Sequence, residues 1–480
     1  MLFLITAVFL IGYLFIALEH TLKINKAGTA LITGVVLWVI YMAIAPGVVP
    51  YMDSGEFANF LGQNPGLNNL PVQQQVVRYV EQIEIIRMLG ETSEILFFLI
   101  GAMTIVELID VHGGFDIITQ QITTRNKRKL LWIIGLLTFF MSAILDNLTT
   151  AIVMITLLHK IVANYKERWI FGAIVIIAAN SGGAWSPIGD VTTIMLWVRG
   201  NVTVAELIPG LILPCLVSFL VPVWIAGTWL HGEVTPAPVE RVSVHGGVVT
   251  YHYRLPRRQR VFILIVGILC LISVPVFKGI THLPPFMGIL LALGIMWVYT
   301  ELMYKRKSPQ PNHVQPRIPY VLRRIDTSTI LFFLGILTAV SALQASGVLH
   351  QVSIWLDNNI HDVFAINILI GFLSAVVDNV PLVAGSIATY PIMEPGALAS
   401  MADPAYSAFF VQDGIFWEFL AYCAGVGGSM LIIGSAAGVV VMGIEKINFM
   451  WYLKHISWIA MVGYLAGAAV YILQVFFETL

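Results

Sequence analysis

Apolar residues gather along the chain in segments of about 20 with few or no charges, the length needed to cross a hydrocarbon core about 30 Å thick. Ten such segments read as full spans, near 2–19, 27–48, 92–111, 170–198, 204–230, 261–277, 284–304, 328–349, 415–443 and 449–476. Two further apolar stretches, 131–159 and 363–390, each carry an Asp-Asn pair at the middle, Asp146-Asn147 and Asp378-Asn379. A carboxylate and an amide at mid-depth suit a helix–turn–helix that enters and leaves on one side, because irregular backbone survives in a bilayer only where protein or a cavity surrounds it.

The charges between segments test this reading through the positive-inside rule. With the N-terminus outside, Lys23 and Lys26, Arg125 to Lys129, Lys166 and Arg168, Arg254 to Arg260, and Lys305 to Arg324 all fall inside. Both flanks of 131–159 are then basic, whereas 363–390 is followed by Glu394, Asp403 and Asp413. The first hairpin therefore dips from the cytoplasm and the second from outside. The start Met-Leu-Phe-Leu has no basic n-region, so it reads as a retained span and not as a cleaved signal. Residues 72–90 have amphipathic helical spacing and are expected to lie at the outer interface. The valine-rich stretch 232–256 suits a short hairpin, and 305–324 reads as the linker between halves.

Local sequence recurs between those halves. Glu94-Ile-Leu-Phe-Phe-Leu parallels Thr329-Ile-Leu-Phe-Phe-Leu, Ser142-Ala-Ile-Leu-Asp-Asn parallels Ser374-Ala-Val-Val-Asp-Asn, and Gly182-Gly-Ala-Trp-Ser-Pro-Ile-Gly parallels Gly427-Gly-Ser-Met-Leu-Ile-Ile-Gly. The blocks keep their order at offsets of about 235, 232 and 245 residues. The expected architecture is thus an all-α polytopic membrane protein of two inverted repeats, each with five transmembrane helices and one re-entrant helical hairpin. Residues 1–230 form the first repeat (hairpin 131–159, broken helix 170–198), 231–260 a cytoplasmic loop, and 261–480 the second (hairpin 363–390, broken helix 415–443). Inverted repeats with interrupted helices at matching positions point to a secondary transporter with its site at the midplane.

Composition agrees with the bilayer as solvent: 58% of the 480 residues are hydrophobic and 11% charged, against about 25% charged in soluble domains. The net charge of −1 offers no field for nucleic acid. Cys215, Cys270 and Cys423 stand singly in apolar segments, with no metal-ligand or disulfide spacing. No nucleotide-binding loop is present, and no cofactor is expected.

Four broken elements are expected to meet: the two Asp-Asn tips, the interruption from Asn180 through Asp190 to Thr192 and Thr193, and the interruption Gly425 to Ser435 containing Ser429. Glycine pairs and Pro187 release backbone carbonyls from the helical ladder. Carbonyls, hydroxyls, amides and carboxylates are oxygen ligands, which hard cations prefer. Sign selects the substrate. Asp146, Asp190 and Asp378 put fixed negative charge at the site, and no lysine or arginine lies within these motifs. A carboxylate that holds either a proton or a sodium ion exchanges them by competition, the chemistry of antiport, so the three aspartates are the expected Na+ ligands.

Plainer roles exist for each residue. Asp146 and Asp378 cap tight turns, which serine would do without burying charge. Asp190 pairs structurally with Thr192 or Thr193, and Thr192 and Thr193 back-bond within the helix. Asn147, Asn180 and Asn379 brace the tips, and Ser429 and Ser435 permit close helix packing. Glu107, with Asp110 near the inner face, is a candidate proton relay or a solvated helix end. His112 is a candidate pH sensor.

The motif Ser-Ala-Ile-Leu-Asp146-Asn147-Leu-Thr-Thr, its partner Ser374-Ala-Val-Val-Asp378-Asn379, and Ser-Gly-Gly-Ala-Trp-Ser-Pro-Ile-Gly-Asp190-Val-Thr-Thr between them resemble the NhaD family of sodium/proton antiporters. That family lies within a superfamily that also holds divalent-anion/sodium symporters, and the resemblance covers roughly residues 90–480. It implies that Asp146, Asn147, Asn180, Asp190, Thr192, Thr193, Ser374, Asp378 and Asn379 matter for transport. It also implies exchange of internal Na+, with Li+ as a second substrate, for external protons across a bacterial inner membrane, by a homodimer; the positive-inside reading sets both termini outside. The anion symporters carry tips resembling Ser-Asn-Thr. Aspartate in place of that serine argues against the alternative of a sodium-coupled anion symporter or arsenite-type effluxer. A remote alternative, an intramembrane aspartyl protease, lacks its Gly-x-Gly-Asp pattern because position 187 is proline.

Overall fold

The computed structural model describes residues 2–17, 24–49, 54–115, 117, 122, 124–235, 255–305, 317–376, 378–401 and 403–478. Among these the protein is helical, with an antiparallel bridge between Asn126 and Glu233. The basic residue Lys23, most of the expected 231–260 loop and residues 306–316 of the linker lie outside the described residues.

Seven helices are long and apolar enough to cross a membrane, or eight if a bent pair counts as one span. The order opens with α1 (Leu2–Ala17), α2 (Lys26–Ile44), α3 (Ser54–Gln63), α4 (Val72–Tyr79) and α5 (Ile85–Val111). Next come α6 (Lys127–Leu145), α7 (Asn147–Ile161), α8 (Tyr165–Gly183), α9 (Val191–Val198), α10 (Val204–Gly227), α11 (Arg257–Thr281) and α12 (Pro285–Lys305). The remainder holds α13 (Thr327–Ala345), α14 (Val348–Asn359), α15 (Val363–Val376), α16 (Asn379–Thr389), α17 (Ile415–Gly427), α18 (Ala436–Glu445), α19 (Phe449–His455) and α20 (Ser457–Glu478).

The 72–90 stretch is helical, as its spacing predicts, and one π turn at Val80–Glu84 joins α4 to α5. One segment differs from the sequence reading. The expected span 449–476 starts later, at Ser457. Lys446 in the left-handed region ends α18, and the Asn448 side chain accepts from the Trp451 amide to begin α19, which bends 117° from α18.

The chain divides into two compact units. One comprises residues 1–96, 326–366 and 380–393. There α2 and α13 meet through Gly34 and Gly335, where a Cβ on Gly34 would stand 2.7 Å from the Gly335 carbonyl oxygen. Leu37, Tyr41, Tyr79, Ala339 and Ala342 form its core, and the Tyr41 hydroxyl donates to Glu84 at 3.0 Å.

The other unit comprises residues 97–325, 367–379 and 394–480. The amides of Lys127, which opens α6, and Ala163, just after α7, both donate to the segment following α10, at Gly232 and Thr235. The start and finish of this helix pair therefore lie side by side, and Lys127 reaches Glu167 at 2.9 Å across that end. Glu445 at the close of α18 is buried between Arg168 (3.0 Å) and His159 (2.9 Å), a desolvated arrangement that holds α7, α8 and α18 together. At the far end of α9, Asn201 O accepts from the Asp413 amide, and the Asp413 carboxylate accepts from the Thr203 amide.

Candidate functional site

The α6–α7 break is a single residue. Asp146 sits at φ 88°, ψ 157°, a region that essentially only glycine occupies without strain. Its carboxylate offsets part of that strain by capping α7, accepting from the Thr149 amide (2.7 Å) and hydroxyl (2.8 Å). A serine in this role would satisfy one donor but bring no charge.

The break between α8 and α9 spans residues 184–190, where Gly182-Gly183 and Gly189 allow backbones to touch. A Cβ at 182 would fall on the backbone of Phe139, and one at 189 would stand 2.8 Å from the Ser142 carbonyl. Ser142 Oγ donates to the Ala179 carbonyl at 2.6 Å, and Ser186 Oγ donates to the Ala143 carbonyl. These contacts hold the end of α6 on the broken helix.

Asp190 then caps α9, accepting from the Thr192 amide at 3.0 Å. It is 1% exposed. Its second oxygen accepts from Asn147 Nδ2 at 2.7 Å and from Asn379 Nδ2 at 3.3 Å, so one carboxylate joins the tips of both Asp-Asn elements. Asn147 Nδ2 also reaches Asn180 Oδ1 at 3.2 Å. Asn180, fully buried, donates to Ser429 Oγ (3.0 Å) and Ser435 Oγ (2.8 Å) in the α17–α18 interruption, where Ser435 caps α18 through the Gly438 amide. All four broken elements expected from the sequence thus meet in one hydrogen-bonded cluster.

Around the second interruption the same contacts return at the offsets of the sequence blocks. Ser374 Oγ donates to the Ala424 carbonyl at 2.7 Å, as Ser142 does to Ala179. A Cβ on Gly427 would meet the backbone of Gly371, and one on Gly434 would stand 2.7 Å from the Ser374 carbonyl, as on Gly182 and Gly189.

Some expected residues take supporting places. Thr193 Oγ1 bonds the Asp190 carbonyl at 2.8 Å and so belongs to the α9 cap. Ser374 braces α15 on α17. Asp378 is half-buried, and its charge, with that of Asp146, bears on Asp190. Glu107 shares none of the cluster's hydrogen bonds and forms an ion pair with Arg324 at 2.6 Å. His112 is buried between the Leu108 carbonyl and the Tyr304 hydroxyl, both at 2.7 Å. Thr149, Ser142 and Ser186 were not singled out from the sequence. Ser142 and Ser186 lie inside the repeated blocks, which was the available signal.

None of the hydrogen-bond partners of Asp146 or Asp190 is basic. Among the described residues no three His, Cys, Asp or Glu side chains converge as metal ligands. The site's oxygens are therefore one fully buried carboxylate with amides and hydroxyls around it, and two further carboxylates within electrostatic reach. Such a set suits a weakly held monovalent cation better than a divalent ion or an anion.

Comparison with known proteins agrees. The family model described as citrate transporter (CitMHS) matches residues 3–411. The chain is 42% identical over 462 residues to sodium/proton antiporter 1 of Arabidopsis thaliana, covering 96% of this chain and 70% of that protein. It is 39% identical over 467 residues to sodium/proton antiporter 2 of the same plant, covering 96% and 97%. Against the Na+/H+ antiporter NhaD of Alkalimonas amylolytica identity is 28% over 500 residues, covering 98% and 90%. The three relatives match this chain nearly from end to end, and the chain belongs to the citrate-transporter (CitMHS) family and, with these relatives, to the NhaD-type sodium/proton antiporters.

Proposed function

We propose that the protein is a secondary Na+/H+ antiporter that uses the cluster around Asp190 as its exchange site. The observation that carries this reading is the Asp190 carboxylate, 1% exposed and held by two amide side chains and a backbone N–H with no basic partner. An uncompensated carboxylate at such depth is costly and must be neutralised by a bound proton or cation. Occupancy by one excludes the other, and the Asp146 and Asp378 charges make the bound cation more favourable still. The relatives' names, sodium/proton antiporters, agree.

The recurrence of the Ser142/Ser374, Gly182/Gly427 and Gly189/Gly434 contacts supports two structural repeats, 1–230 and 261–480, with an intervening loop. We read them as inverted and the cycle as alternating access, in a bacterial cytoplasmic membrane with both termini outside. Acceptance of Li+, assembly as a homodimer, and direct contact of the cation with Asp146, Asp378, Asn147, Asn180, Asn379 and Thr192 belong to the same proposal. We read Glu107, ion-paired with Arg324, as lying outside the exchange step, a reading that the pair supports. Anion symport is the weaker reading, since it would set an anion beside three aspartates.

The test is a collapse assay. Everted vesicles from antiporter-deficient bacteria expressing the protein are energised, and the pH gradient is followed on adding NaCl, LiCl or KCl. Sodium-dependent collapse, abolished in Asp146→Asn and Asp378→Asn, is expected. A gradient untouched by any of the three cations, with correctly inserted protein, would return anion symport to the front.

A further inference from the structure

Threonines in the helices of this protein share a habit. Thr33, Thr104, Thr138, Thr156, Thr300, Thr338 and Thr389 each turn the hydroxyl back onto the carbonyl four residues earlier. That rotamer satisfies a hydroxyl in an apolar medium, where water cannot. Thr150 does not adopt it. The Asp146 carbonyl four residues earlier accepts only from the Thr150 amide, at 3.2 Å, and the Thr150 hydroxyl, fully buried, has no hydrogen-bond partner. Thr192 is the one other described threonine whose buried hydroxyl makes no hydrogen bond of ordinary geometry, and it lies beside the Asp190 carboxylate.

A buried polar group without a partner costs about 1–3 kcal/mol, and an allowed rotamer would have removed that cost at Thr150. The position explains why it is kept. Thr150 follows Asn147 by three residues, so the two share a helix face about 5–6 Å apart, and Asn147 is the side chain that reaches Asp190. Thr192, two residues beyond Asp190, has its hydroxyl 3.9 Å from where a Cβ on Gly425 would lie. Both hydroxyls therefore border the cluster, one on each of the two elements that carry Asp146 and Asp190. The matching positions of the second half hold Leu382 and Ala437, which have no oxygen to offer.

We infer that the Thr150 hydroxyl is a ligand of the transported alkali cation, completed with the Thr192 hydroxyl and the Asp190 carboxylate, and that it takes no part in holding the proton. This rests on the antiport reading. A hard cation stripped of water needs several oxygens around it, whereas a proton needs only the carboxylate. Loss of the hydroxyl should weaken the cation alone. Thr150 is then a specificity-determining residue, and the cation binds on the first-half side of the cluster.

The experiment compares Thr150→Val and Thr150→Ser with the wild type in the everted-vesicle assay, measuring the half-saturating Na+ and Li+ concentrations and the maximal rate at fixed pH. Purified proteins are also melted in choline chloride and in NaCl. Thr150→Val should raise the half-saturating Na+ about tenfold with the maximal rate within about twofold, the pattern of a lost ground-state contact. It should melt at or above the wild type in choline and lose most of the Na+-induced rise. Thr150→Ser should return both values towards wild type. A Thr150→Val protein with wild-type half-saturation and Na+ shift would show the hydroxyl to be a packing leftover, and would overturn the inference alone. Absence of exchange by the wild type would remove the functional reading and this inference with it.

Discussion

Replacing Gly182 by alanine perturbs the site through geometry and leaves every charge in place. A Cβ there would fall on the Phe139 carbonyl oxygen and stand 2.8 Å from both the carbonyl carbon and the Cα of Phe139. Carbon pairs need about 3.5 Å or more, so α6 must retreat from α8 by at least ~0.7 Å. Overpacking of this kind costs about 1–3 kcal/mol. The Ser142–Ala179 bond, 2.6 Å long and one turn from the Asp146 break, is stretched by the same movement, with about 0.5–1.5 kcal/mol more at stake. Displacement of the tip draws Asn147 from Asp190, a contact of 2.7 Å. Because misplacement by ~1 Å can slow a well-oriented reaction about 10²-fold, sodium-dependent collapse of the pH gradient should fall by at least about tenfold. Gly427→Ala, against the Gly371 backbone with carbon contacts of 2.9 Å, should behave alike. Gly443→Ala, with nothing within 4 Å, is the control and should transport normally. Wild-type rates in Gly182→Ala and Gly427→Ala, at equal expression, would show that close apposition of these backbones does not position the site.

Asp146→Gly should separate fold from function: it relieves about 1–3 kcal/mol of backbone strain and loses about 1 kcal/mol of capping. The purified protein should melt within a few degrees of wild type while exchange is lost, and retained exchange would remove Asp146 from the site. Glu445→Gln leaves the partly exposed Arg168 without its charge partner though still bonded to the Val162 and Ala163 carbonyls, a cost below the roughly 3–5 kcal/mol of a fully buried pair, and should lower the melting temperature. An unchanged melt would mean that the Arg168–Glu445 contact does not hold α8 to α18. Glu56→Gln removes an exposed pair with Arg87, 2.6 Å apart and about half accessible on both sides. Such pairs are worth about 0–1 kcal/mol, so neither melting nor transport should move appreciably.

Much of this molecule could be read from its sequence because the bilayer restricts what a chain can do. Helical class, the breaks at Asp146 and Asp190, and the meeting of both Asp-Asn tips with the glycine-rich interruptions all follow from charge and glycine placed where apolar helix is expected. What escaped the reading depends on side-chain geometry. Nothing in composition tells that Asp190, and not Asp146, receives Asn147 and Asn379, since both are aspartates at interruptions. Hydropathy could not see the π turn that joins α4 to α5, because one extra residue in a helical turn leaves the periodicity nearly intact. Nor could it end α19 at His455 and begin α20 at Ser457, as both helices are apolar. Glu107 drew notice as a candidate proton relay or solvated helix end near the inner face, but its partner Arg324 lies more than two hundred residues along the chain.

The most direct test of the central claim is sodium flux through purified protein. Wild type and Asp190→Asn are reconstituted into sealed liposomes, a pH gradient is imposed, and uptake of radioactive sodium is followed with a pH-sensitive dye inside. The asparagine keeps an oxygen for the Thr192 amide, its NH2 replaces the oxygen to which Asn147 and Asn379 donate, and the group that proton and cation share is gone. Equal insertion and melting of the two proteins are checked alongside. Sodium accumulation coupled to proton movement in the wild type, and absent from Asp190→Asn, is the predicted result. Coupled flux that survives in Asp190→Asn would contradict the assignment of Asp190 as the exchange site, and a wild type that moves no sodium against protons would contradict antiport itself.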